Sequence, residues 1–287
     1  MRYGESACPH AVEQAGCGLA VPLALFTGSL AVLSGALIGI VLGMIGGGGS
    51  ILAVPLLVYV VGVPSIHVAI GTAAIAVAIN AAFGLAGHAR IGAVKWPCAL
   101  VFAGAGSFGA LAGSALGKAT GADELLALFG GLLIVVGFLM LASPSRATKP
   151  DVRLSTSTAG HLLPRLLAVG TGVGLLSGYF GIGGGFLIVP GLMLATAMPL
   201  SNAVATSLVA VAAFGLTTAG SYAASGLIDW KLALCFVIGG AAGSFIGIRA
   251  GQTLGKDKRV LTAVFAGFVV LVGVYVVVTG IRGVMLG

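Results

Sequence analysis

The sequence predicts an all-α integral membrane protein built from two repeated halves. Three observations predict it: a composition almost free of charge, a series of apolar segments of membrane length or shorter, and a match of the chain with itself. Of 287 residues, 59% are hydrophobic and only 7% charged, with a mean hydropathy of +1.17. A water-soluble domain carries about a quarter charged residues, so this chain has no polar coat to present to water. Its charge-free runs of ~20 residues, at 1.5 Å rise each, match the ~30 Å hydrocarbon core of a bilayer.

Hydrophobic segments are expected at 21–43, 50–62, 65–87, 97–117, 123–142, 164–180, 185–197, 200–223, 230–250 and 259–280. The segments at 50 and 185 are too short to span unaided, and each follows a glycine run. They read as broken or re-entrant elements, so the chain has about 8 to 10 hydrophobic segments depending on how these two are counted. Arg2 ahead of the first run resembles a secretory signal, but the polar stretch between them and the length of the run favour a retained span.

Sliding the chain by 135 residues lays Gly39 on Gly174, Gly43 on Gly178, Gly46 on Gly181, Gly48 on Gly183, Gly49 on Gly184 and Pro55 on Pro190. After a one-residue slip, Ala69, Thr72, Gly92 and Trp96 fall on Ala203, Thr206, Gly226 and Trp230. The predicted organisation is a tail over 1–20, a first membrane repeat over 21–142, a polar linker over 143–163 and a second repeat over 164–287.

Ten of the fourteen basic residues fall on one face when sides are counted alternately: Arg90, Lys95, Arg146, Lys149, Arg153, Arg165, Arg249, Lys256, Lys258 and Arg259. The positive-inside rule makes that face cytoplasmic and places both termini outside. An odd number of crossings per half then turns the two repeats upside down relative to each other, an arrangement suited to alternating access. The net charge of +7 is explained by cytoplasmic loops facing anionic lipid headgroups, without nucleic acid as a partner. Self-association into a homo-oligomer is left open.

The glycine runs carry the chemistry. The first half reads Gly43-Met44-Ile45-Gly46-Gly47-Gly48-Gly49-Ser50 and runs on to Pro55; the second reads Gly178-Tyr179-Phe180-Gly181-Ile182-Gly183-Gly184-Gly185 and runs on to Pro190. Each glycine costs a helix interior about 1 kcal/mol relative to alanine, so four in succession predict unwound backbone. Inside a membrane such backbone is tolerated only where protein or a watery cavity surrounds it. A helix restarting at Ser50 or Gly185 directs free N–H groups and a positive dipole end there, which suits an anion. Isolated glycines such as Gly109 and Gly113 read as close helix packing.

The duplicated glycine-rich run ending in proline, followed by Ala69-Ile70-Gly71-Thr72 and Ala203-Val204-Ala205-Thr206-Ser207, resembles the TauE/SafE sulfite exporter family, also called the toluene-sulfonate uptake permease group. The resemblance covers about residues 30 to 280. It implies a secondary transporter of sulfite, an organosulfonate or a related sulfur anion, with Gly46, Gly47, Gly48, Gly49 and Ser50 facing Gly181, Gly183, Gly184 and Gly185 across a substrate site. Thr72, Thr206 and Ser207 become hydroxyl donors on the following helices, although each hydroxyl has the alternative of bonding its own helix backbone. An anion channel, or an uptake permease for an organic anion, is the alternative function.

Asn80 lies mid-segment, either as interhelical glue or as a ligand donor. Arg90, beside His88, is placed to attract an anion from the cytoplasm or to act as a plain positive-inside anchor. All seven carboxylates lie in tails, loops or segment ends, which argues against a carboxylate proton relay. Cys98 and Cys235 read as inert packing, and Cys8 and Cys17 as an extracytoplasmic disulfide or two thiols. No cofactor motif, phosphate-binding loop or activated nucleophile is visible, so an enzyme is not expected.

Overall fold

The computed structural model describes residues 28–43, 47–90, 92–142, 156–181, 185–253, 267 and 269–280. The described residues form helices and short connections, with no strand among them. In chain order these are α1 (Gly28–Gly43); a composite α2, made of a 3₁₀ turn (Gly47–Leu52), an α turn (Ala53–Pro55) and a π stretch (Leu56–Val60); α3 (Ile66–Arg90), α4 (Trp96–Ala119) and α5 (Ala122–Ala142). The second half continues with α6 (Thr156–Phe180), α7 (Gly185–Thr196), α8 (Leu200–Ala224), α9 (Trp230–Thr253) and α10 (Val269–Gly280). Among the described residues, five stretches are long and apolar enough to cross a membrane: α3, α4, Leu162–Phe180, Asn202–Ala224 and Trp230–Gly247. The protein is a multi-pass membrane protein, and Leu100, Phe108, Leu234 and Phe245 stay exposed because lipid is their solvent.

Two predicted features differ in detail. The second repeat was expected to begin at 164, yet α6 starts at Thr156 and carries Pro164 inside it. A helical proline leaves a carbonyl one turn back without its donor. Gly160, Leu163, Pro164 and Arg165 are all exposed, and the cost is lowest in such a surface turn. In the first glycine run, expected as unwound backbone, Gly47, Gly48 and Gly49 take the tighter 3₁₀ form. Residues 143–155 of the predicted linker, and the tail with Cys8 and Cys17, lie outside the described residues.

Glycine sets the packing. A Cβ on Gly109, Gly113 or Gly117 of α4 would run into the carbonyls of Thr171, Leu175 or Tyr179 of α6. Residue numbers rise together on both helices, so α4 and α6 run parallel in intimate backbone contact. In the same way Gly35 and Gly39 of α1 lie against Phe236 and Gly240 of α9, while Gly243 and Gly247 lie against Ala36 and Ile40. With no water to drive association, such close approach supplies the van der Waals contact that holds membrane helices. The pairs Gly39–Gly240 and Gly174–Gly106 are counterparts under the repeat, as are Gly243–Ala36 and Gly109–Thr171. The first helix of each half therefore packs on the fourth helix of the other.

Counterpart helices also meet each other. In α3 and α8, Gly71 lies by Tyr222, Ala78 by Gly215 and Gly84 by Leu208, so these two run antiparallel. The same holds for α5 and α10, where Gly130 meets Gly273 and Ala127 meets Gly280. Two crossing antiparallel pairs and two exchanged parallel pairs place the matched halves around a common centre, near Asn80 and Phe214.

Candidate substrate site at the paired helix breaks

The described part of α1 reaches Gly43, and the Gly47–Leu52 turn follows it in the chain. Its continuation into a π stretch over Leu56–Val60 is a departure from α geometry of the kind that concentrates at functional sites. The second break begins at Gly181, whose φ of +65° is a left-handed value that only glycine adopts at no steric cost. A Cβ there would strike the Ile70 side chain of α3. The helix resumes at Gly185, which is buried. The Gly47–Leu52 turn packs against α7, and α8 touches both, so the two broken elements meet. Ser50 is buried at that contact. Gly46, Gly183 and Gly184 lie outside the described residues.

Thr72 and Thr206 are fully buried and occupy counterpart roles. The Thr72 Oγ1 accepts the Asp229 backbone N–H at 3.0 Å, and the Thr206 Oγ1 accepts the Lys95 backbone N–H at 3.1 Å. Each hydroxyl thus ties the start of α3 or α8 to the loop that opens a helix of the other half. Asp229 in turn caps α9, its Oδ1 accepting the N–H groups of Lys231 and Leu232 at 3.0 and 3.1 Å. Ser207 takes the local alternative, donating to the Val204 carbonyl at 2.8 Å.

Asn80 is 1% exposed, and neither its amide nitrogen nor its oxygen has a hydrogen-bond partner. It lies against Gly240, whose missing side chain makes the room. Its counterpart, Phe214, lies in the same way against Gly106. A buried amide without partners is costly in an apolar surrounding. Arg90 is exposed in the last turn of α3. It lies 18 residues beyond Thr72, about 27 Å along the helix, so these sequence-predicted residues trace a path rather than a single cluster.

Sequence reasoning did not single out Ser177, Thr218 or Ser244, which are buried with unpartnered hydroxyls, as is Tyr222. Under the repeat, Tyr222 falls on His88. Cys98 is buried and Cys235 half-buried.

Matched halves of apolar helices whose broken segments meet at the centre define a multi-pass membrane transporter. A profile of the family described as sulfite exporter TauE/SafE matches residues 31–276, and the chain belongs to that family. A Xylella fastidiosa (strain 9a5c) protein named "Probable membrane transporter protein" is 46% identical over 244 residues, covering 85% of this chain and 92% of its own length. The Bacillus subtilis (strain 168) "Probable membrane transporter protein YdhB" is 28% identical over 243 residues, covering 82% of this chain and 96% of its own. No solved structure matches the chain.

Proposed function

We propose that the protein exports a small sulfur-containing anion, sulfite or an organosulfonate, across the inner membrane by alternating access between two inverted repeats. The observation that carries this reading is the packing of the Gly47–Leu52 turn against α7; in this reading the helix starts at the two breaks turn their N–H groups toward one site. Such starts favour anions through unsatisfied donors and the dipole together. In this reading Gly46 to Ser50 and Gly181 to Gly185 supply the backbone donors, Asn80 adds its amide, and Arg90 draws the anion in from the cytoplasm. The antiparallel contact of α3 with α8 supports the inverted arrangement, with both termini outside.

The described acidic residues, Asp123 and Glu124 in the first turn of α5 and Asp229 at the cap of α9, lie at helix ends. Export then runs on the membrane potential: moving one negative charge out of a negative cytoplasm releases about 2.3 kcal/mol per 100 mV. The test is sulfite flux in liposomes under an imposed potential, beside a variant carrying Gly48→Leu and Gly184→Leu. Potential-driven flux that the variant loses is the expected result. Absence of flux for sulfite, organosulfonates and thiosulfate in folded wild-type protein would overturn the reading.

A further inference from the structure

Beside the first break, a small cavity of about 10 Å³ is lined by Leu42, Gly43, Gly84, His88, Leu208 and Ser244. Ser244 is 4% exposed and its hydroxyl has no partner. The repeat maps this cavity onto a matching place beside the second break. There Ser177 stands for Leu42, Thr218 for Gly84 and Tyr222 for His88. The hydroxyls of Ser177, Thr218 and Tyr222 are all fully buried and unpartnered. Buried polar atoms are nearly always satisfied, and three orphans at repeat-matched positions of one lining call for a common cause.

Lys118 covers this place. Its Nζ donates to the Ser221 carbonyl at 3.1 Å, to the Ser221 Oγ at 3.0 Å and to the Ser225 Oγ at 3.1 Å, and stands 5.6 Å from the centre of the Tyr222 ring. The strap joins the end of α4 to the end of α8. Among the described residues no carboxylate neutralises it.

We propose that Ser177, Thr218 and Tyr222 line a second half-passage, shut in this structure, which conducts the transported anion between the second glycine break and the face bearing Lys118. The inference rests on the transport reading and deepens it. In the opposite conformation Lys118 leaves Ser221 and Ser225, the three hydroxyls turn toward the space released, and they donate to the oxygens of the passing anion. The His88–Ser244 cavity is the corresponding half-passage on the other face. Hydroxyl donors suit transit, because they solvate an oxyanion without adding a fixed charge that would hold it.

The test places single cysteines, Ser177→Cys, Thr218→Cys and Ser244→Cys, in a background lacking the four native ones, in vesicles of known orientation. A membrane-impermeant methanethiosulfonate is applied from each side. The expected result is reaction of S177C and T218C only from the Lys118 face and of S244C only from the opposite face, both slowed by excess sulfite. Lys118→Met, by removing the strap, should speed T218C labelling by roughly tenfold, since charge-assisted bonds are lost. Inertness of both S177C and T218C from either side while sulfite flux persists would overturn the proposal, as would their reaction from the same face as S244C. Alternating labelling in a protein that neither carries nor is protected by sulfite would leave the passage standing and remove the sulfur-anion reading instead.

Discussion

At the scale of single residues, the repeat exposes a local conflict. The loops after α2 and α7 turn at counterpart positions, Gly62 with φ of +81° and Ala197 with φ of +57°. Left-handed backbone costs an L-residue about 1–2 kcal/mol, which glycine avoids. Space is not a factor at Gly62, where an added Cβ would meet nothing within 4 Å. Gly62→Ala should therefore lower stability by about 1 kcal/mol and Ala197→Gly should raise it by about 0.5–1 kcal/mol, once glycine's own entropic cost is deducted. Thermal unfolding in detergent reads both, and a loss of stability in A197G would contradict the account. Thr72 and Thr206 were legible as buried hydroxyls that matter, but not as acceptors for Asp229 and Lys95. Those partners lie 157 and 111 residues away, and no local pattern reports a bond across that distance. Asn80 was legible because an amide in an apolar run has no packing reason to be there, whereas Ser177, Thr218 and Ser244 were not, since serine and threonine ordinarily satisfy themselves on their own helix.

At the scale of elements, glycines of the same helix differ sharply in what surrounds them. Gly109 of α4 lies against the Thr171 carbonyl, while a Cβ on Gly104 would meet nothing within 4 Å. Gly109→Ala and its counterpart Gly243→Ala should each destabilise the protein by about 1–3 kcal/mol through forced separation of the helices. Gly104→Ala should be neutral or stabilising by up to about 1 kcal/mol, because alanine is the better helix former. Equal melting temperatures for G104A and G109A would show that the backbone contact carries no energy. Most elements were readable from hydrophobic length, and both breaks from their glycines. The start of α6 was not: residues 156–163 are largely polar or small, and a helix there is an extension of the span beyond it rather than a buried segment with its own hydrophobic signal. The 3₁₀ winding of Gly47–Leu52 was equally hidden, since a glycine run states that α helix is expensive but not which alternative the packing selects.

At the scale of the whole molecule, the two halves are interlocked rather than merely adjacent. If they are inverted, Pro97 and Lys231, exposed counterparts at the starts of α4 and α9, emerge on opposite faces. Cysteines placed singly at these positions should react with an impermeant reagent from opposite sides of the membrane; reaction from one side would rule out the inverted arrangement. The interlock also has a consequence in time. Gly109 of α4 finds its partner on α6 soon after it leaves the ribosome, but Gly39 of α1 must wait for Gly240 of α9, some ~200 residues later. At roughly 5–20 residues per second, α1 stands beside the wrong neighbours for ~10–40 s, its glycine stripe open to lipid or to whatever insertion machinery shelters it. A helix made late in the chain is the one that completes α1.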